Sequence, residues 1–400
     1  MSGPGSSVPG TPAGCERIVY VLGRRETSAF SDTYGGGGDI IGLDCHLVRP
    51  VDRPSDTVVI FMHPTGGGMY LPIVGGMAMA GHHVIWANSR YRGADFALIM
   101  EKVAADLGAT VADARDRLGY EKVVLAGWSG GGSLSTWYQA LAEAGEGITD
   151  TAAGDPYEIT PSGLPPADAL LVMAAHISRH GTLTEWMDPS IVDEAAPQFR
   201  EPALNLYDPT NPNQPPYSAD FLTDYRAAQV TRNRRITDDV LQRLAELRAD
   251  GRHAEEFAFT VHGTMADPRW LDPSVDPSDR RPNWCYLGDP RLVNDGPVGL
   301  ARFSTLRSWL SQWSYDHARA DAQVAAAGIT VPTLVVGNTA DDACTPSHTH
   351  RIYEAICHDR KRLHEVQGAT HYYTGEHGRQ HMAEAIGVVT EFLARELPRT

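Results

Sequence analysis

The sequence predicts an α/β fold: a mostly parallel central sheet with helices on both faces, plus a large, mainly helical insertion. Three observations predict it. Short runs rich in Val, Ile and Leu alternate with helical patterns along much of the chain. One of those runs ends in a serine set among four glycines, Gly127-Trp128-Ser129-Gly130-Gly131-Gly132. Between roughly residues 177 and 322 the alternation stops, and long helical stretches and Pro-rich connections replace it.

The elements follow in order. "MSGPGSSVPGTPAG" (1–14) lacks a basic start and an apolar run, so it reads as a flexible tail rather than a secretory signal. "RIVYVLG" and "GLDCHLVRP" have strand character and suit an antiparallel opening pair, with a glycine-rich turn from Gly35 to Gly38 between them. "TVVIFMH", "HHVIWAN", "KVVLAGW", "DALLVMAAH" and "PTLVVGN" are apolar enough for strands buried on both faces. Helical patterns run from Phe96 to Leu118, Ser133 to Ala144, Pro346 to Cys357 and Gln380 to Leu397. The intervening segment carries helical stretches over Ser218–Ala249 and Leu300–Ala326, and it holds five of the eight tryptophans. The expected organisation is therefore a tail (1–14), a core in two parts (15–176 and 323–400) and a cap inserted at 177–322.

Composition bounds the function. A formal charge of −16 argues against non-specific nucleic-acid binding and against attraction to anionic membranes. No apolar run approaches a bilayer span. The five cysteines are odd in number and scattered, without a CxxC pair, which suits a reducing cytoplasm better than a disulfide framework. The expectation is a small-molecule substrate, no nucleic-acid or membrane partner, no cofactor and no metal. Oligomeric state is not legible.

A strand, a tight glycine-flanked turn and a helix around G-x-S-x-G hold a serine hydroxyl above the sheet edge. Ser129 is then a candidate nucleophile, and the Gly130 N–H opens a helix where an oxyanion could rest. "HPTGGG" after an earlier strand can offer a second N–H; Pro64 has none, leaving Thr65 or Gly66. A base is needed. Among 16 histidines, His371 in "GATHYY" sits in a loop before the last helix, free to reach across the sheet edge. "GNTADDACTP" supplies Asp341 or Asp342 to orient it, and Ser…Asp…His is the chain order this architecture uses. His377 and His381 are spaced i, i+4, but Glu376-His377-x-x-x-His381 is not a zinc motif and reads as an exposed helix start.

At these residues the sequence resembles the α/β-hydrolase superfamily: "GWSGGG" its nucleophile elbow, "HPTGGG" its oxyanion loop, "LVVGNTADDACTP" its acid loop and "GATHYY" its histidine loop. The resemblance spans residues 55 to 176 and 328 to 397. It implies the α/β-hydrolase fold, an acyl-enzyme mechanism, and Asp341 as the triad acid, because Thr339-Ala340-Asp341 falls on the family's T-A-D. Asn338 stands where glycine is usual, and His63-Pro64 where H-G is common. A carboxylic ester of an apolar or aromatic small molecule is the expected substrate. Lactone, amide or C–C bond hydrolysis, acyl transfer, or a non-catalytic binding role are the alternatives. Trp186, Tyr217, Phe221, Trp309 and Trp313 are candidates for lining an apolar substrate cleft; helical spacing in the last pair suits a cap core equally well.

Overall fold

The structure is a computed structural model that describes residues 10–26, 33, 36, 37 and 39–398. Residues 1–9 of the expected tail, and Gly35 and Gly38 of the expected turn, lie outside the described residues. The main strands are β1 (Cys15–Arg25), β2 (Ile40–Pro50), β3 (Thr57–His63), β4 (His83–Asn88), β5 (Lys122–Ser129), β6 (Ala169–Ala175), β7 (Thr333–Asn338) and β8 (Lys361–Val366). They form one sheet in the order β1-β2-β4-β3-β5-β6-β7-β8, with the two-residue strand Gly36–Gly37 added beside β2. The β1–β2 and β2–β4 pairs are antiparallel; every pair from β4 to β8 is parallel.

The central parallel strands are largely apolar because both faces are covered, whereas the edge strand β8, KRLHEV, is mostly polar and half-buried. Alternate residues go to opposite sides. Val58, Ile60, Met62, Leu125, Val172 and Val335 pack under helices α2 (Met100–Asp116) and α3 (Gly130–Ala144). Val59, Phe61, Trp86, Val124, Ala126, Leu171 and Val336 pack against α1 (Pro72–Met79) and the last helix, Gly378–Glu396. The chain leaves β3 through α1 on one face and leaves β5 through α3 on the other. These two strands are neighbours, so a crevice opens between their C-terminal ends, the place where such sheets bind ligands.

Between β6 and β7 lies the inserted segment, with helices α4 (Arg179–Trp186), α5 (Ala219–Ala249) and α6 (Leu306–Gln312) and a small ribbon pairing Ala258–Thr260 with Phe303–Thr305. Its core sets Ile236, Val240, Leu244 and Leu247 of α5 against Leu306, Trp309, Leu310 and Trp313. Ser218 caps α5, accepting the Phe221 N–H at 3.2 Å. Among the described residues no helix is long and apolar enough to cross a membrane.

Two expected helices are shorter than their sequence pattern, for tertiary reasons. The expected helix over Leu300–Ala326 is broken. Phe303–Thr305 joins the ribbon, and the helix ends at Gln312 because Asn233 of α5 takes over its terminus, donating to the Trp313 carbonyl and accepting the Tyr315 N–H, both at 2.8 Å. The expected start at Phe96 moves to Met100, whose N–H is met at 2.7 Å by the Ser311 hydroxyl from the inserted segment. Neither partner is near in sequence.

The glycines of the serine turn are fixed by contact. A Cβ on Gly127 would stand 2.3 Å from the Gly131 carbonyl oxygen, one on Gly131 2.5 Å from the Met62 carbonyl oxygen, and one on Gly132 2.2 Å from the Ala175 Cβ. These neighbours are backbone or Cβ atoms and cannot rotate away. Gly127→Ala and Gly132→Ala are expected to lower stability by about 1–3 kcal/mol each in thermal or urea unfolding. Gly387→Ala, in the exposed face of the last helix with open space around it, should be neutral or stabilising by about 0.4–1 kcal/mol.

Candidate active site

Ser129 is the last residue of β5 and the cap position of α3. Its backbone sits at φ 53°, ψ −122°, a conformation that costs a non-glycine residue about 1–3 kcal/mol and persists only where packing enforces it. The enforcement is visible: the glycine contacts above hold α3 hard against β3 and β6, and the β5–β6 register shifts between Trp128 and Ser129. Strain here turns the hydroxyl out of the sheet into the crevice. Gly130 begins the 15-residue α3, so its N–H is unsatisfied within the helix and sits at the positive end of the dipole.

His371 follows β8 in a loop and is 1 % exposed. Its Nδ1–H donates to Asp341 at 2.9 Å (Oδ2) and 3.1 Å (Oδ1). Asp341, in the loop after β7, is held in turn: its Oδ1 accepts the Ala343 and Cys344 N–H groups at 2.8 and 2.6 Å. Asn338 ties the two loops together by donating to the Thr370 carbonyl at 3.0 Å, a bond that glycine at this position could not make. Trp128, Tyr372 and Tyr286 surround the imidazole, with ring centroids 5.8, 4.7 and 6.5 Å away. Burial by itself would depress the His371 pKa, but the charge and hydrogen bond of Asp341, with Asp342 adding, raise it above the ordinary histidine value. Asp342 faces a different environment. Burial and the neighbouring Asp341 charge push its carboxyl up to about 6 against the pull of His371.

Cys344, which sequence reasoning did not single out, stands beside both parts. Its Sγ is 3.8 Å from the Ser129 Oγ. Asp341, Cys344 and His371 each place a ligating atom within 4.8 Å of the others, near enough for a metal ion by distance. Their chemistry fits one poorly. His371 Nδ1 and Asp341 are spent on each other, and burial together with Asp341 keeps the Cys344 thiol protonated, far above its usual pKa.

In the "HPTGGG" loop, the Gly66 N–H closes a turn onto the His63 carbonyl at 2.8 Å, and the Gly67 N–H donates to Asn88 Oδ1 at 2.6 Å. The Thr65 N–H is held more weakly, 3.3 Å from His63 Nδ1. Of the two expected donors, Thr65 is thus the more available.

No family model matches the chain, and no curated protein matches its sequence. Solved structures do. The α/β hydrolase GrgF from Penicillium sp. sh18 aligns over 96% of this chain and 99% of its own, with a TM-score of 0.53 at 12% identity. The siderophore hydrolase EstB from Aspergillus fumigatus aligns over 95% and 99%, with a TM-score of 0.51 at 10% identity. The chain has the α/β-hydrolase fold.

In this α/β-hydrolase fold the crevice over Ser129 is a cavity of about 260 Å³. Trp186 lines it, as do Thr65, Gly66, Trp128, Tyr286 and Tyr372. The other four expected aromatic residues are placed elsewhere. Tyr217 and Phe221 pack with Tyr225 and Leu271, while Trp309 and Trp313 lie in the core of the inserted segment. Their helical spacing serves that core. His377 and His381 stand at the start of the last helix, rings 6.1 Å apart. The sequence reading missed the polar side of the cavity: His63, His176 and Arg179. Its signal was position, since His63 ends β3 and His176 directly follows β6, both at the sheet edge that carries Ser129.

Burial, with the Arg179 and His371 charges adding to it, takes the His63 pKa down to about 3. His176 is likewise well below the usual value, from burial first and then the surrounding His348 and Arg179. Both stay neutral when folded but titrate at the ordinary histidine value when unfolded. The contribution of each to stability is therefore complete above about pH 6.5 and is lost as pH falls below it, for His63 toward about 3. The expected outcome is a thermal midpoint that falls between pH 7 and 4 less steeply in His63→Gln than in the parent. Equal slopes would contradict the assignment.

Proposed function

We propose that this protein is a serine hydrolase of carboxylic esters of small molecules, acting through Ser129, His371 and Asp341. The single observation that carries the reading is the Asp341–His371 pair closed at 2.9 Å, with Cys344 Sγ next to it and 3.8 Å from the hydroxyl of a serine held at positive φ in a pre-formed cavity. Ser129 Oγ attacks the ester carbonyl while His371 Nε2 takes its proton. Asp341, fixed by two backbone N–H groups, stabilises the imidazolium and holds the tautomer with Nε2 free. The oxyanion rests on the Gly130 and Thr65 N–H groups. Collapse breaks the carbon–alkoxide bond, and His371 returns its proton to the departing alcohol. Water then adds to the acyl-serine with His371 accepting its proton; the acid leaves and Ser129 recovers its hydrogen. We assign residues 177–322 as the cap that roofs this site, between core parts 15–176 and 323–400, because Trp186, Val298 and Leu300 of that segment line the cavity.

Turnover of a graded set of chromogenic esters tests this. Ser129→Ala and His371→Ala should lower kcat on the order of 10⁴-fold or more with circular dichroism unchanged. Asp341→Asn should cost a similar factor, and Asp342→Asn only a few-fold; the reverse ranking would move the acid to Asp342. His371 must be neutral to act, so the acidic limb of kcat/KM should lie above the ordinary histidine value. In residual Asp341→Asn activity that limb should move to lower pH.

A further inference from the structure

Six arginines are buried among the described residues: Arg90, Arg179, Arg232, Arg269, Arg280 and Arg302. In five of them the guanidinium donates hydrogen bonds to carboxylates or main-chain carbonyls, although Arg302 Nε has no partner. Arg90 pairs with Asp106 and Glu26 at 2.7 Å, Arg232 with Glu194 at 2.7 Å and Arg269 with Asp267 at 2.6 Å. Arg280 and Arg302 donate to main-chain carbonyls, at 2.9 Å to Arg269 and 2.7 Å to Asn294. Arg179 differs. It is 5 % exposed, and among the described residues its guanidinium makes neither a hydrogen bond nor an ion pair, the Nε included. A buried cation without a counter-ion is costly and marks a place where an anion is meant to sit.

Its setting says where that anion goes. Arg179 is the first residue of α4, whose N-cap Ser178 accepts the Gly181 N–H at 3.0 Å, so the backbone carrying it is anchored. The guanidinium carbon lies 4.3 Å over the Trp313 ring, which holds the plane and supports the charge from behind. The fork faces the cavity next to the nucleophile: a Cβ placed on Gly130 would be 3.4 Å from Arg179 Nη1, 3.4 Å from His176 Nε2 and 2.9 Å from His63 Nε2. His63 Nδ1 lies 2.9 Å from the Thr65 hydroxyl and 3.3 Å from the Thr65 N–H; in the tautomer in which it accepts from both, the ring presents Nε2–H to the cavity as a donor. His176 Nδ1 also lacks a partner. The acidic group nearest to this cluster in effect is Asp95, exposed on the cavity rim; it attracts Arg179 without pairing with it.

We propose that Arg179, flanked by His63 and His176, binds a carboxylate of the substrate, so that the ester cleaved at Ser129 is an acidic one with a free carboxylate close to the scissile carbonyl. A planar fork matches a carboxylate with two parallel N–H bonds, and one guanidinium balances one negative charge. The proposal rests on the ester hydrolysis assigned to Ser129 and names its substrate class.

Two esters of equal length test it, monomethyl glutarate and methyl pentanoate, hydrolysed in a pH-stat by the parent, Arg179→Met and Arg179→Lys. The parent should favour the acidic ester in kcat/KM by tenfold or more. The acidic-to-neutral ratio should fall about a hundredfold in Arg179→Met and recover partly in Arg179→Lys. A parent without preference, or a ratio unmoved because both esters lose equally, would overturn the proposal; the second result would assign Arg179 to the reaction's oxyanion. If Arg179→Met folds poorly, the parent ratio and Arg179→Lys carry the test. Calorimetric titration of glutarate into Ser129→Ala, with and without Arg179→Lys, reads the anion site without turnover. Binding weakened by the second substitution supports the site even if no ester is cleaved, and no binding to Ser129→Ala counts against it even if esters are.

Discussion

The hydrogen bond from His371 to Asp341 is the interaction on which the rest of the site depends. It joins two loops that follow neighbouring strands, and each end is fixed separately: the carboxylate by the Ala343 and Cys344 N–H groups, the ring by Trp128, Tyr286 and Tyr372. A carboxylate can only accept, so the bond decides which imidazole nitrogen carries hydrogen. That choice leaves the other nitrogen without a proton and able to act as a base. Burial strengthens the pair by excluding water, and the same burial would be costly for either partner alone.

The sheet explains why these groups converge. Parallel strands deliver every following loop to one edge, and the switch of the following helix from one face to the other between neighbouring β3 and β5 opens the crevice there. Glycine packing at the turn after β5 then pins the serine in a backbone conformation it would not choose by itself. The same edge collects His63 and His176 from strand ends and Arg179 from the start of α4. The cavity therefore has two sides of different character: an aromatic one around Trp128, Trp186, Tyr286 and Tyr372, and a cationic one beside Gly130.

Much of this was legible in the sequence because it rests on local pattern. Alternating apolar runs gave the strands, and four glycines around one serine are hard to explain without the close approaches seen at Gly127, Gly131 and Gly132. What was not legible depends on distant partners. Asp341 and Asp342 are adjacent, and only the fold brings the Asp341 carboxylate to the His371 ring and to the Ala343 and Cys344 N–H groups. Trp309 and Trp313 have a spacing that fits a substrate wall or a helix core, and only the position of α5 decides for the core. The ends of α2 and α6 are set by Ser311 and Asn233, residues far away along the chain. Arg179 carries no motif at all; its meaning lies in the missing partner.

The most direct test of the account is the site and rate of covalent capture by a fluorophosphonate, followed by intact mass and peptide mapping. One adduct per chain is expected, on Ser129, forming at a rate that collapses in His371→Ala while the protein remains folded. An adduct on another residue, or a Ser129 adduct whose rate is indifferent to His371, would contradict it.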